Sequence, residues 1–180
     1  GAFVTVCRTP RVLWWVQGGL DGLVIAAGED GTVLRYRDDG SGTCDVTYVD
    51  GDWPTGRPTL WGLFGTGAND VRFVGGSVAA DGPKGVLLHW DGTPYTRELV
   101  PTESATANLF KIARANDGLF VVGDAGTILQ RRDGASDWER LPPPPLGIDS
   151  TLFTVSCSVE PRCVAVGGRS AGTMVFRDGD

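Results

Sequence analysis

Histidine, lysine and methionine are nearly missing from this chain. One histidine (His89), two lysines (Lys84 and Lys111) and one methionine stand against fourteen arginines. The net charge of -6 and pI ≈ 4.7 leave no basic surface of the kind that holds phosphate, so nucleic acid is not expected as a partner. A single histidine, with only Cys157 and Cys163 closely spaced among four cysteines, does not supply the ligands of a zinc centre. No run approaches the roughly 18 to 20 apolar residues of a helical membrane span, and nothing reads as a long amphipathic helix. A serine nucleophile elbow, an HExxH pair and a P-loop are absent as well. Neither enzymatic activity nor a cofactor or metal is expected. The first residue is glycine, so the expectation is a processed chain or one cut from a longer protein.

What the chain has in excess is glycine, 27 of 180 residues without a collagen period, which implies many turns. Residues 119–134 show the use made of it: L-F-V-V-G-D-A-G-T-I-L-Q-R-R-D-G reads as two strands around a tight turn. Related units recur at 23–38, 71–92 and 163–179. A Leu-aromatic pair precedes each one, at Leu13-Trp14, Leu60-Trp61, Leu109-Phe110 and Leu152-Phe153, spaced by 47, 49 and 43 residues. The glycine that ends the next strand recurs at Gly28, Gly75, Gly123 and Gly167, spaced by 47, 48 and 44. Each period holds about four short strands, the last one polar, as suits an exposed edge. An all-β fold follows: a small β-propeller, most simply four blades of four antiparallel strands in one domain over 1–180. The blades are expected at about 13–49, 60–100, 109–141 and 152–180. The last lacks an outer strand, and the alternating Phe3-Val4-Thr5-Val6 within residues 2–7 is expected to complete it by pairing beside Phe176. That strand would close the ring.

The pattern L-[WF]-x-[VIL] … V-x-x-V-G-x-x-G-T-[IV]-L-x-[RY]-x-D-G resembles the repeats of secreted bacterial propellers, among them those similar to the photosystem II stability and assembly factor. It is also similar, more distantly, to sialidase-type BNR repeats. The S-x-D-x-G-x-T-W box of the latter has no match, the nearest stretch being D-G-A-S-D-W at 133–138. The resemblance implies the fold and suggests a protein-interaction scaffold; it says almost nothing of activity and assigns no functional residue.

Cys157 and Cys163 flank a turn and are expected to form a disulfide across it, which implies an oxidising compartment. Whether Cys7 and Cys44 form a second bridge stays open at this level. Loops leaving the second and fourth strands of a blade emerge on one face, and that face carries the candidate binding residues: Asp30, Trp53, Arg57, Asp81, Asp124 and Arg169. The insert at 77–84 and the inter-blade segments 50–58, 101–106 and 142–150 belong to it. Trp53 can either stack on a sugar or partner, or plug a groove between blades. A cation held by Asp30, Asp81 and Asp124 is a weaker reading. The repeat aromatics are expected to pack, and His89 to be a half-buried strand residue. The repeated Asp38, Asp91, Asp133 and Asp178 are expected to accept turn N–H bonds, and the proline run at 142–145 to be a stiff connector. The protein is therefore expected to be a monomeric, secreted, periplasmic or surface scaffold that binds a protein through one face. The alternatives are a carbohydrate-binding propeller, disfavoured because Trp53 has no counterpart in the other loops, and a fragment of a larger propeller or multidomain secreted protein.

Overall fold

β-branched and aromatic runs broken by Gly and Asp turns build fifteen strands among the described residues. The computed structural model describes residues 1–37, 39, 42–53, 55–142, 150–158, 162–169 and 171–177. The proline run is thus described only at Pro142, and Asp38 and Asp178 lie outside. The first sheet holds β1 (Leu13–Leu20), β2 (Leu23–Gly28), β3 (Thr32–Arg37) and β4 (Thr43–Tyr48). The second holds β5 (Thr59–Gly67), β6 (Asp70–Gly76), β7 (Val86–Trp90) and β8 (Thr96–Arg97). The third holds β9 (Leu109–Ala115), β10 (Gly118–Gly123), β11 (Ile128–Arg132) and β12 (Glu139–Arg140), and the fourth β13 (Leu152–Cys157), β14 (Cys163–Gly167) and β15 (Thr173–Arg177). Every sheet is an antiparallel meander in chain order. The first strand of each packs on the first strand of the next, β1 on β5, β5 on β9 and β9 on β13. This is the blade-by-blade order of a small propeller.

Both repeat markers have a structural cause. A Cβ added to Gly28, Gly75, Gly123 or Gly167 would run into the carbonyl oxygen of Val12, Thr59, Asn108 or Thr151, in every case the residue before the Leu of that same blade. The glycine lets the inner strand enter the blade against the backbone. In each blade the pairing of first and second strands also slips by one residue at the aromatic, skipping Trp14, Trp61, Phe110 and Phe153. Such a bulge re-aims the extra side chain. Trp61 and Phe110 accordingly meet across neighbouring blades at 4.9 Å between ring centroids, and Phe110 and Phe153 at 5.4 Å.

Three apolar layers lie between the four sheets. The first joins Ile25, Ala27 and Val33 to Leu60, Leu63 and Phe73. The second sets Val74 and Leu87 against Leu109, Ile112, Val121 and Leu129. The third sets Phe120 and Val122 against Leu152, Val155 and Ala165. Polar clasps span the same junctions. The Gln17 amide bonds both ways with the Gly65 backbone at 2.8 and 3.0 Å, and Arg35 reaches the Tyr95 hydroxyl at 2.7 Å while lying 4.3 Å over the Trp90 ring.

The structure differs from the sequence expectation at the closing strand. The fourth sheet has three strands, and residues 3–6 form none; Phe3, Val4 and Val6 are exposed. A tether explains it: the Cys7–Cys44 disulfide fastens this segment to β4 of the first sheet. The packing seen between successive inner strands does not recur between β13 and β1. Cys157 and Cys163 are bridged as expected, and they are directly paired residues of β13 and β14. Two disulfides mark a protein of an oxidising environment.

Candidate binding face

Three backbone hydrogen bonds fix which loops share a face. Gly31 N–H donates to Pro58 O at 2.6 Å, Gly85 to Ala107 O at 2.8 Å and Gly126 to Ser150 O at 2.8 Å. The turn after a second strand is thereby stitched to the segment entering the next blade. At 29–31 and 124–126 that turn is one 3-10 turn with left-handed φ at Asp30 (54°) and Ala125 (51°), each followed by a left-handed glycine. Asp30 and Asp124 therefore occupy different positions of the turn, and the counterpart of Asp124 is Glu29.

Asp124 and Arg169 are in contact. One Asp124 oxygen accepts from Arg169 Nη2 at 3.1 Å and from Thr151 Oγ1 at 3.1 Å, and the other from Asn108 Nδ2 at 2.8 Å. Arg169 Nε also donates to Thr151 Oγ1 at 3.0 Å. The carboxylate is mostly buried while the Arg169 side chain stays 70% exposed, so Asp124 holds a guanidinium that faces outward. Asp30 pairs with Arg11 at 3.0 Å. Arg57 lies against Gly31 and bonds to Val49 O at 3.1 Å and Asp50 at 3.2 Å, which makes it a brace of the loop. Trp53 is half-buried on the first apolar layer, with Arg97 at 5.5 Å over its ring. Asp81 is exposed on the insert, whose backbone takes a bond from Thr55 Oγ1 at 2.5 Å. The six residues fall into a group around the first junction and the Asp124 and Arg169 pair at the third. Among the described residues, no three Asp, Glu, His or Cys side chains converge as a cation site would need.

The bulged aromatics were expected to pack, and Trp61, Phe110 and Phe153 do so in one ladder. Phe153 at the end of the aromatic ladder is 49% exposed and follows Thr151, the hydroxyl that fixes Arg169. The signal was present in the repeat, but a bulge cannot be read from spacing alone. The inner strands line an open pocket of about 300 Å³, formed by Trp15, Gln17, Lys111, Arg114, Val155 and Ser156 among others. Lys111 is buried there with its ammonium over the Trp15 ring, and burial pushes its pKa down to about 8.

His89 is half-buried and its Nε2 lies 2.8 Å from Asp70. Burial would raise the Asp70 carboxyl, but hydrogen bonds from Thr66 and His89 and the charge of Arg72 outweigh it and hold the group below the usual carboxylate range. Asp91 accepts from the Thr93 hydroxyl and from its N–H at 3.1 Å, which lowers its pKa too. Asp133 instead receives Arg114 at 2.7 and 2.9 Å.

Four antiparallel blades packed inner strand to inner strand define a propeller-type protein. No family model matches the chain, and no curated protein matches its sequence. Solved structures do match. A structure of YCF48 bound to D1 peptide gives a TM-score of 0.66 at 16% identity, over 93% of this chain and 50% of that one. The computationally designed Ika4 protein gives 0.62 at 16% identity, over 99% and 98%. YCF48 from Cyanidioschyzon merolae gives 0.62 at 14% identity, over 87% and 48%. The chain spans about half the length of the YCF48 chains it matches. At these identities the likeness is one of fold, and at that level the resemblance to the photosystem II assembly factor holds.

Proposed function

We propose that this protein is a non-catalytic binding propeller that works outside the cytoplasm and recognises a protein segment on the face carrying Asp30, Asp124 and Arg169. One observation carries the reading: the Arg169 guanidinium, held by Asp124 and Thr151, is 70% exposed, and Phe153, two residues beyond Thr151 in sequence, is 49% exposed. Phe153 stands on β13, and Arg169, two residues beyond β14, is tied down by Thr151 and Asp124, so part of the ordering cost of binding is already met. An aromatic surface beside an arginine is the composition of interface anchors, and it suits a peptide with an apolar side chain next to a carboxylate. A YCF48 structure with this fold holds a peptide, which supports the scaffold role. The two disulfides support an extracytoplasmic site of action.

Trp53, the residue on which carbohydrate binding rested, packs on the core under Arg97 and offers little free ring. A peptide array and a glycan array run with the same oxidised protein separate the readings. Selective binding of acidic, aromatic-containing peptides, weakened about tenfold or more by Arg169→Ala with an unchanged melting temperature, is the expected result. Glycan binding abolished by Trp53→Ala, with a blank peptide array, would overturn it.

A further inference from the structure

Most of the exposed large apolar side chains gather at the two ends of the row of blades, Tyr48, Val78 and Leu99 being the exceptions among the described residues. Phe3, Val4, Val6, Val12, Leu13, Trp14, Trp15 and Val16 lie at one end, and Phe153, Val166, Met174 and Phe176 at the other. Repeat positions show why. On the side of a blade that meets its predecessor, Leu60, Leu109 and Leu152 are each 0% exposed, but their counterpart Leu13 is 38% exposed. Leu63, Ile112 and Val155 are at most 4% exposed, but Val16 in the first blade is 59% exposed. On the side that meets the successor, Ala27, Val33, Val74, Leu87 and Val122 are all 0% exposed, whereas the fourth blade shows Val166 at 38% and Met174 at 69%. The first blade also bears an open groove of about 450 Å³ lined by Leu13, Trp14, Trp15, Val16 and Ala26.

These are two halves of the junction that the protein builds three times within itself. We propose that the trailing face of the fourth blade docks on the leading face of the first blade in a second copy of this chain. Two head-to-tail junctions of this kind close a two-fold ring from two rows of four blades, within the four to eight blades such rings hold. The occupant is argued from continuity. The docked face must offer apolar residues at the positions of Val122 and Ile128, and Val166 and Met174 hold those positions. Apolar faces of this extent are not left to water on a monomer of this size.

Sedimentation equilibrium of the oxidised 180-residue protein across the micromolar range tests this. The expected mass is twice the 19.0 kDa of one chain. Val16→Lys alone and Met174→Glu alone should each weaken association at least tenfold. The Val16→Lys/Met174→Glu double variant, which faces lysine with glutamate across both junctions, should regain most of it. Far-UV circular dichroism checks that each variant is folded, and Val166→Glu replaces any that is not. A wild-type protein that stays at the single-chain mass, or a dimer that none of these single variants weakens, overturns the proposal. A ring closed within one chain, or blades supplied by another stretch of a longer protein, would then cover these faces.

Discussion

Lys111 stands in a blade position filled elsewhere by Trp15, Gly62 and Thr154, and it brings a cation into the pocket with an aromatic ring for company. Burial disfavours the charged form, so the folded pKa falls from 10.5 to about 8. The unfolded chain binds the proton more tightly. The penalty on folding is therefore complete below about pH 8 and relieved as pH rises toward 10.5. Lys111→Met should raise the melting temperature at pH 7, and that advantage should shrink in steps of pH up to 10. A gap that stays constant, or widens, over that range would show that Lys111 is not desolvated. At this scale the sequence was half legible. Gly28, Gly75, Gly123 and Gly167 were visible as a repeat because a backbone contact forbids any side chain there. That Asp124 is matched by Glu29 and not by Asp30 was hidden, because the left-handed residue within the turn carries no signature of its own.

Between elements, the junction of the second and third blades carries a chain of charges. Glu98 Oε1 accepts from Arg72 Nε at 3.2 Å and from Arg131 Nη1 at 2.9 Å, and Oε2 accepts from the Trp138 indole N–H at 2.7 Å. Arg72 continues to Asp70 at 2.8 Å, and Asp70 to His89. All three partners of Glu98 are largely buried, so its removal leaves two guanidinium groups with a weaker partner in a dry site. Glu98→Gln should cost about 3 kcal/mol, the lower end for breaking a buried pair, read as a shift of the urea midpoint. A loss below roughly 0.5 kcal/mol would mean that water already serves this network. The sequence gives no sign of it, since Arg72, Glu98 and Arg131 lie in three strands with no shared motif. The strands themselves were readable, because alternation and Gly-Asp turns are local. The fourth strands, expected to be polar, are only two residues long at Thr96–Arg97 and Glu139–Arg140.

For the whole molecule, a period of 43 to 49 residues announced four blades, since each needs a neighbour to bury its faces. Ring closure did not follow from it, because strand pairing between distant segments depends on where the N-terminal segment is held. The disulfides decide that. Cys7 and Cys44 lie 37 residues apart and enclose β1, β2 and β3, whereas Cys157 and Cys163 are 6 apart and join two already paired strand residues. A cross-link stabilises mainly by restricting the unfolded chain, and more so for the longer loop. Chain-entropy reasoning assigns about 4 kcal/mol to the first bridge and about 2 kcal/mol to the second. Urea unfolding of the Cys7→Ser/Cys44→Ser and Cys157→Ser/Cys163→Ser proteins should therefore show the larger loss for the first pair. The reverse order would place the main constraint on the β13 to β14 hairpin. The first bridge would then serve to position the N-terminal segment on β4, with little part in holding the first blade folded.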